Sequence, residues 1–151
     1  MMVLALLLTV QGLAWGGFDE GVAAYKADDY ATALREWRPL AEQGHVKAQW
    51  FLGVMYYNGW GVPRNYKKST EYYRMAAKQG HTGAQWLLGY MYDNGWGVPQ
   101  DYIQANKWYI IAGANGQRAG ATFSDMTAKK MTTTQIAEAK RLAREWMEKH
   151  P

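Results

Sequence analysis

Residues 45–80 and 81–116 are adjacent blocks of 36 residues that align without a gap and agree at 18 positions. Nothing else in the chain restricts its fold as strongly. A period of about 20–50 residues marks stacked supersecondary units, each too small to bury its apolar face alone. The segment NGWGVP stands in both blocks, at 58–63 and at 94–99. It joins a turn dipeptide, an aromatic between glycines and a proline, so its repetition shows where each unit turns.

One block reads as a helix, a loop and a helix. Ala48, Leu52, Met55 and Tyr56 recur at helical spacing and make one apolar face. Gly53 lies inside that pattern, and Gly89 repeats it. A mid-helix glycine costs about 1 kcal/mol relative to alanine, so close approach of the partner helix is the expected compensation. Asn58-Gly59 ends the first helix, since glycine accepts the left-handed conformation just past a helix C-terminus. Gly61 and Pro63 keep the loop from being helical, and Asn65 (Asp101 in the second copy) caps the next helix. That helix is predicted from about Tyr66 to Lys78, with Ser69, Tyr73, Ala76 and Ala77 inward.

The pattern A-x-x-x-L-G-x-x-Y-x-x-G-x-G-V, followed by Asn or Asp with Tyr, an aromatic pair, alanine and a closing glycine, resembles the Sel-one-like repeat (SLR) family. That family is a subclass of tetratricopeptide-like repeats. The resemblance implies an all-α fold, a right-handed α-solenoid of antiparallel helical hairpins. Ser69 and Thr70 depart from the usual Lys-Ala, and Gly113 replaces a second alanine. Residues 18–44 read as a degenerate first hairpin, with Pro39 expected to kink its second helix by removing a backbone donor. Residues 117–131 resemble the first helix of a third repeat. Thr132 and Gln135 then offer a capping box. Ile136, Ala139, Ala143, Trp146 and Met147 make the last helix an amphipathic cap for the solenoid's open end.

The first sixteen residues, MMVLALLLTVQGLAWG, carry no charge, and Ala14-Trp15-Gly16 offers a small-x-small cleavage site. They resemble a secretory signal peptide, although the basic n-region is absent. The apolar run is shorter than the roughly 20 residues of a membrane span. The expectation is an exported, periplasmic or secreted domain over 17–151 with no stable membrane span after cleavage. The chain has no cysteine, hence no disulfide, thiolate ligand or cysteine nucleophile.

The net charge of +4 divides into −3 over residues 17–44 and +7 over the rest. Arg64, Lys67, Lys68, Arg74 and Lys78 share one helix with Glu71 and read as a solvated face, not a nucleic-acid site. His45 and His81 are repeat-related and lack carboxylate neighbours, so structural histidines are expected and not a metal site. No phosphate loop or nucleophile elbow is present, which leaves no catalytic residue and no cofactor to predict. Cysteine-rich members of the family have been linked to β-lactam chemistry, and this chain lacks those cysteines.

The surface carries the functional reading. With Leu52 as the core direction and 100° per residue, Trp50, Val54 and Tyr57 fall within about 40° of the opposite side. The second copy puts Trp86, Tyr90 and Asp93 there. In stacked hairpins the first helices line the concave face, so these six residues are the candidate partner-binding strip. The alternative is that Trp50 and Trp86 pack between repeats. Trp60 and Trp96 lie in the loops, as spacers on the next hairpin or as a sugar platform. Two functions stand: a non-enzymatic scaffold for a protein or peptide partner, as the resemblance implies, and a cell-wall or glycan binder using exposed Trp and Tyr.

Overall fold

All regular structure among the described residues, 17–151 of a computed structural model, is helical. The leader expected at 1–16 lies outside them. The chain is helical over 17–26 (α1). There follow α2 (Tyr30–Glu42), α3 (Val46–Asn58), α4 (Tyr66–Lys78), α5 (Thr82–Asn94), α6 (Tyr102–Ala114), α7 (Arg118–Ala128) and α8 (Thr133–Lys149). α3 with α4 and α5 with α6 form two packed hairpins, α7 and α8 both pack on α6, and the repeat stacks as the all-α solenoid that its period implies.

The local chemistry sets the boundaries. Gly59 and Gly95 end α3 and α5 in the left-handed region, at φ 74° and 68°. The Asn65 side chain accepts from the Lys68 N–H at 3.0 Å, and Asp101 from that of Gln104 at 3.0 Å. Thr132 and Gln135 form the reciprocal capping box that opens α8. Pro39 lies inside α2, and the helix continues past it to Glu42. Its missing donor falls in the last turn, where little helix remains to be redirected.

Within each hairpin a glycine admits an aromatic ring. A Cβ at Gly53 would stand 2.5 Å from Tyr73, and one at Gly89 would stand 2.7 Å from Tyr109. Gly21 faces Trp37 in the same way in the degenerate hairpin. The Ser69 hydroxyl donates to the Gly53 carbonyl at 2.8 Å, which ties α4 to α3 at the point of closest approach.

Between hairpins the bonds also repeat. Gln49 donates to the Ala41 carbonyl and Gln85 to that of Ala77, at 3.1 and 3.2 Å. Gln79 then donates to Gln49 at 2.8 Å, and Asn115 to Gln85 at 3.1 Å. Buried amides are thereby satisfied across each junction, as buried polar groups must be. The loop tryptophans also join units, but toward the preceding hairpin and not the next. Trp60 stacks on Tyr30 of α2 and Trp96 on Tyr66 of α4, at 5.5 and 5.0 Å between ring centroids. Left-handed Gly61 and Gly97 turn the loops back; no side chain fits at Gly97 against the Tyr66 carbonyl.

At the far end Trp108 of α6 meets Trp146 of α8 edge to face at 5.6 Å, while Ala139 and Ala143 are fully buried. α8 closes the apolar core as the cap expected from its pattern.

Candidate functional site

The first helices α1, α3, α5 and α7 meet along one face. Phe18 and Tyr25 of α1 lie against Phe51 of α3, with centroids 6.2 and 5.3 Å apart. Trp50 of α3 stacks on His81, which caps α5, at 5.3 Å. Trp86 and Tyr90 of α5 meet Phe123 of α7 edge to face at 5.6 and 6.2 Å. The face is therefore an aromatic seam crossing the unit boundaries.

Histidine helps to make this seam. The Nδ1 atom of His45 accepts from the Ala48 N–H at 3.2 Å, and that of His81 from the Ala84 N–H at 3.1 Å. An accepting Nδ1 requires a neutral ring protonated on Nε2. Burial lowers both pKa values below the ordinary 6.5, and the Lys47 ammonium pushes in the same direction. His45 also stacks on Phe18, at 4.6 Å.

The six residues expected in the strip divide into two groups. Trp50, Val54 and Tyr57 are half-buried and pack against a core containing Ala84, Leu88 and Met91 of the next repeat. Trp86 and Tyr90 are half-buried as well. The inter-repeat packing considered for Trp50 and Trp86 is what the structure contains, with part of each residue left accessible. Their Nε1 atoms are buried without an acceptor among the described residues. Leaving such a donor unpaired costs about 1–3 kcal/mol, which the aromatic packing must offset. Tyr57 and Tyr90 are neighbours, and the Tyr57 hydroxyl titrates above its ordinary range through burial first and Tyr90 second.

Asp93 does not belong to the open strip. Its carboxylate is buried and accepts from the Tyr109 hydroxyl at 3.4 Å, the Thr127 hydroxyl at 3.2 Å and the Lys130 ammonium at 3.2 Å. It therefore joins α5 to α6 and to the end of α7. Helical phase sets Asp93 beside Trp86 and Tyr90, but α7 and the residues after it cover the C-terminal turn of α5.

Several contributors escaped the sequence reading. Phe18, Val22, Lys47 and Phe51 join Trp50 and His81 around a cavity of about 290 Å³ on this face. Phe51, Leu87 and Phe123 share one register of the 36-residue period, a signal that could have placed Phe123 in the seam. Trp60 and Trp96 are half-buried, each with one ring face against a tyrosine. Among the described residues no group of three or more His, Asp or Glu comes together in a way that could hold a metal ion. No described helix is long and apolar enough to cross a membrane.

Residues 46–81 and 82–117 each match the Sel1 repeat family, one residue out of step with the blocks as first drawn. The chain carries two Sel1 repeats. A solved structure similar to it is a protective antigen present in uropathogenic Escherichia coli strains that displays an SLR fold. The two share 31% identity with a TM-score of 0.86, over 94% of this chain and 31% of that one. A Sel1 repeat protein from Oxalobacter formigenes shares 27% identity with a TM-score of 0.68, over 83% of this chain and 54% of that one. The chain thus spans about a third of the first protein and about half of the second. No curated protein matches it. Sel1 repeat proteins are generally protein–protein interaction scaffolds and typically non-enzymatic. In the Sel1 repeats described above, the accessible helix faces are the first-helix seam and the polar outer surface of α4.

Proposed function

We propose that this chain is an exported scaffold that binds a protein or peptide segment along the face of its first helices. The observation that carries the reading is the half-buried row of Trp50, Tyr57, Trp86 and Tyr90. Large, rigid aromatics that keep an accessible edge lose little side-chain entropy when covered, and such residues dominate interface energetics. The second helices offer less. The exposed large apolar side chains among the described residues are Met75 and Met126, which stand apart on α4 and α7. Export rests on the uncharged leader and its Ala14-Trp15-Gly16 site.

The glycan alternative has less support, because each loop tryptophan already uses one ring face on a tyrosine. A photo-reactive amino acid placed in living host cells at Tyr57, Tyr90 or Met75 tests the reading. Adducts to one protein species from Tyr57 and Tyr90, found in the exported fraction, are expected. Adducts arising only from Met75, or only in the cytoplasmic fraction, would sink it.

A further inference from the structure

His81 has two tasks at the boundary between the repeats. Its Nδ1 atom accepts from the Ala84 N–H at 3.1 Å and so caps α5, while the same ring stacks on Trp50 of α3, with centroids 5.3 Å apart. Gly83 leaves space for both rings: a Cβ there would stand 3.3 Å from the imidazole Cε1 and 3.5 Å from the Trp50 Nε1. The imidazole also has room beside it. It borders the cavity of about 290 Å³ whose other walls are Phe18, Val22, Lys47, Trp50 and Phe51.

The third unit start lacks this arrangement. One period on, Gln117 stands where His81 does and makes no side-chain cap bond to α7. Trp86, the counterpart of Trp50, meets Phe123 edge to face instead. The chain thus holds two equivalent tryptophans, one against a titratable cap and one not.

Protonation cannot leave the first arrangement as it is. The added proton goes on Nδ1, the atom that accepts from Ala84, so two N–H groups then face each other. The ring also becomes a cation at the positive end of α5. The Trp50 face attracts that cation, but its centroid is 5.3 Å away and the Ala84 amide 3.1 Å, so the repulsive contact is the closer one. The surrounding charges do not compensate. Lys47 of α3 shares the cavity wall, and α1 contributes Phe18 and Val22 there. Asp19 of α1 borders the adjoining cavity, again with Lys47. Lys78 of α4 and His150 after α8 line a further cavity with Thr82. The charged residue of α5 itself, Asp93, is at the far end of that helix. Burial first and Lys47 second accordingly lower the His81 pKa below 6.5.

We infer that the α3–α5 junction is an acid-sensitive joint in the first-helix face: protonated His81 leaves its cap for the cavity, which frees the first turn of α5 and loosens the packing of Trp50. In what it regulates, this rests on the first-helix reading above, since a partner lying across Trp50 meets an altered surface in acid; the opening itself needs no partner. An open joint binds the proton with the ordinary value of 6.5 and the capped one resists it. Opening is thereby favoured by up to about thirtyfold at about pH 5 over about pH 7.5.

Nuclear magnetic resonance on the whole chain tests this between about pH 7.5 and about pH 5. The readouts are hydrogen exchange of the Ala84 amide, corrected for its intrinsic rate, and the indole Nε1–H signals of Trp50 and Trp86. Exchange of Ala84 should quicken by about tenfold or more in acid, and the Trp50 indole should shift or broaden while Trp86 stays unchanged. His81→Asn keeps a cap acceptor that does not titrate, and in H81N the changes at Ala84 and Trp50 should disappear. Equal protection of Ala84 at both pH values overturns the inference, as does a change that persists in H81N or occurs equally at Trp86. Loss of protection throughout the chain at the acid end overturns it too, because the opening is local. A lack of photo-adducts from Tyr57 and Tyr90 at every pH sinks the first-helix reading and not the joint.

Discussion

His45 and His81 each hold a helix start through a neutral ring nitrogen, a task more often given to Ser, Thr, Asp or Asn. Protonation removes the accepting lone pair and sets a cation against the positive end of the helix and near Lys47. Burial depresses both folded-state pKa values below 6.5, the value in the unfolded chain. Between the two values the unfolded chain binds more protons than the folded one, so stability falls with decreasing pH. The melting temperature should therefore hold between about pH 8 and pH 7 and decline below about pH 6.5. The double variant His45→Asn, His81→Asn keeps an acceptor at each cap and should flatten that decline. An unchanged slope in the double variant would show that other groups cause it.

At the scale of the elements, the hairpin depends on glycine against aromatic. Alanine at Gly53 gains about 1 kcal/mol in helix propensity, but its Cβ would lie 2.5 Å from the Tyr73 ring. Tyr73 is fully buried and cannot retreat, and overpacking costs about 1–3 kcal/mol. Gly53→Ala should destabilise by up to about 2 kcal/mol, the difference of the two effects. Denaturant unfolding that shows a more stable G53A protein would mean that the ring can move. These contacts were legible in the sequence because a glycine inside a helical pattern has few reasons to be there. Asn58-Gly59, Asn65 and Asp101 were legible too, since helix ends are fixed by residues within a few positions of them. Asp93 was not. Its partners Thr127 and Lys130 lie 34 and 37 residues away, and helical phase alone cannot say that α7 covers that turn. The histidine caps were recognised as structural, but without their role, because imidazole has no strong preference for that position. The cavity between Phe18, Trp50 and His81 needs α1, α3 and the start of α5 assembled before its walls are adjacent.

Taken as one molecule, the chain has two kinds of surface. The second helices carry Arg64, Lys67, Lys68, Glu71 and Lys78 at or near α4, all exposed. Arg74 there donates to the Tyr92 hydroxyl at 3.3 Å, as Arg38 does to Tyr56 at 3.4 Å, which bonds some of this charge into the stack. The first helices carry the aromatic seam, with an opening at one end and the Asp93 anchor at the other. Stacked units of this kind are stabilised by nearest-neighbour contacts, so a partner can cover one face without disturbing the rest. Hydrogen–deuterium exchange of the chain with and without its crosslinked partner is the most direct test of the central claim, that the first helices are the binding face. Slowed exchange is predicted at the N-terminal turns of α3 and α5 and in α1, with α4, α6 and α8 unchanged. Protection confined to α4, α6 and α8 would contradict the account.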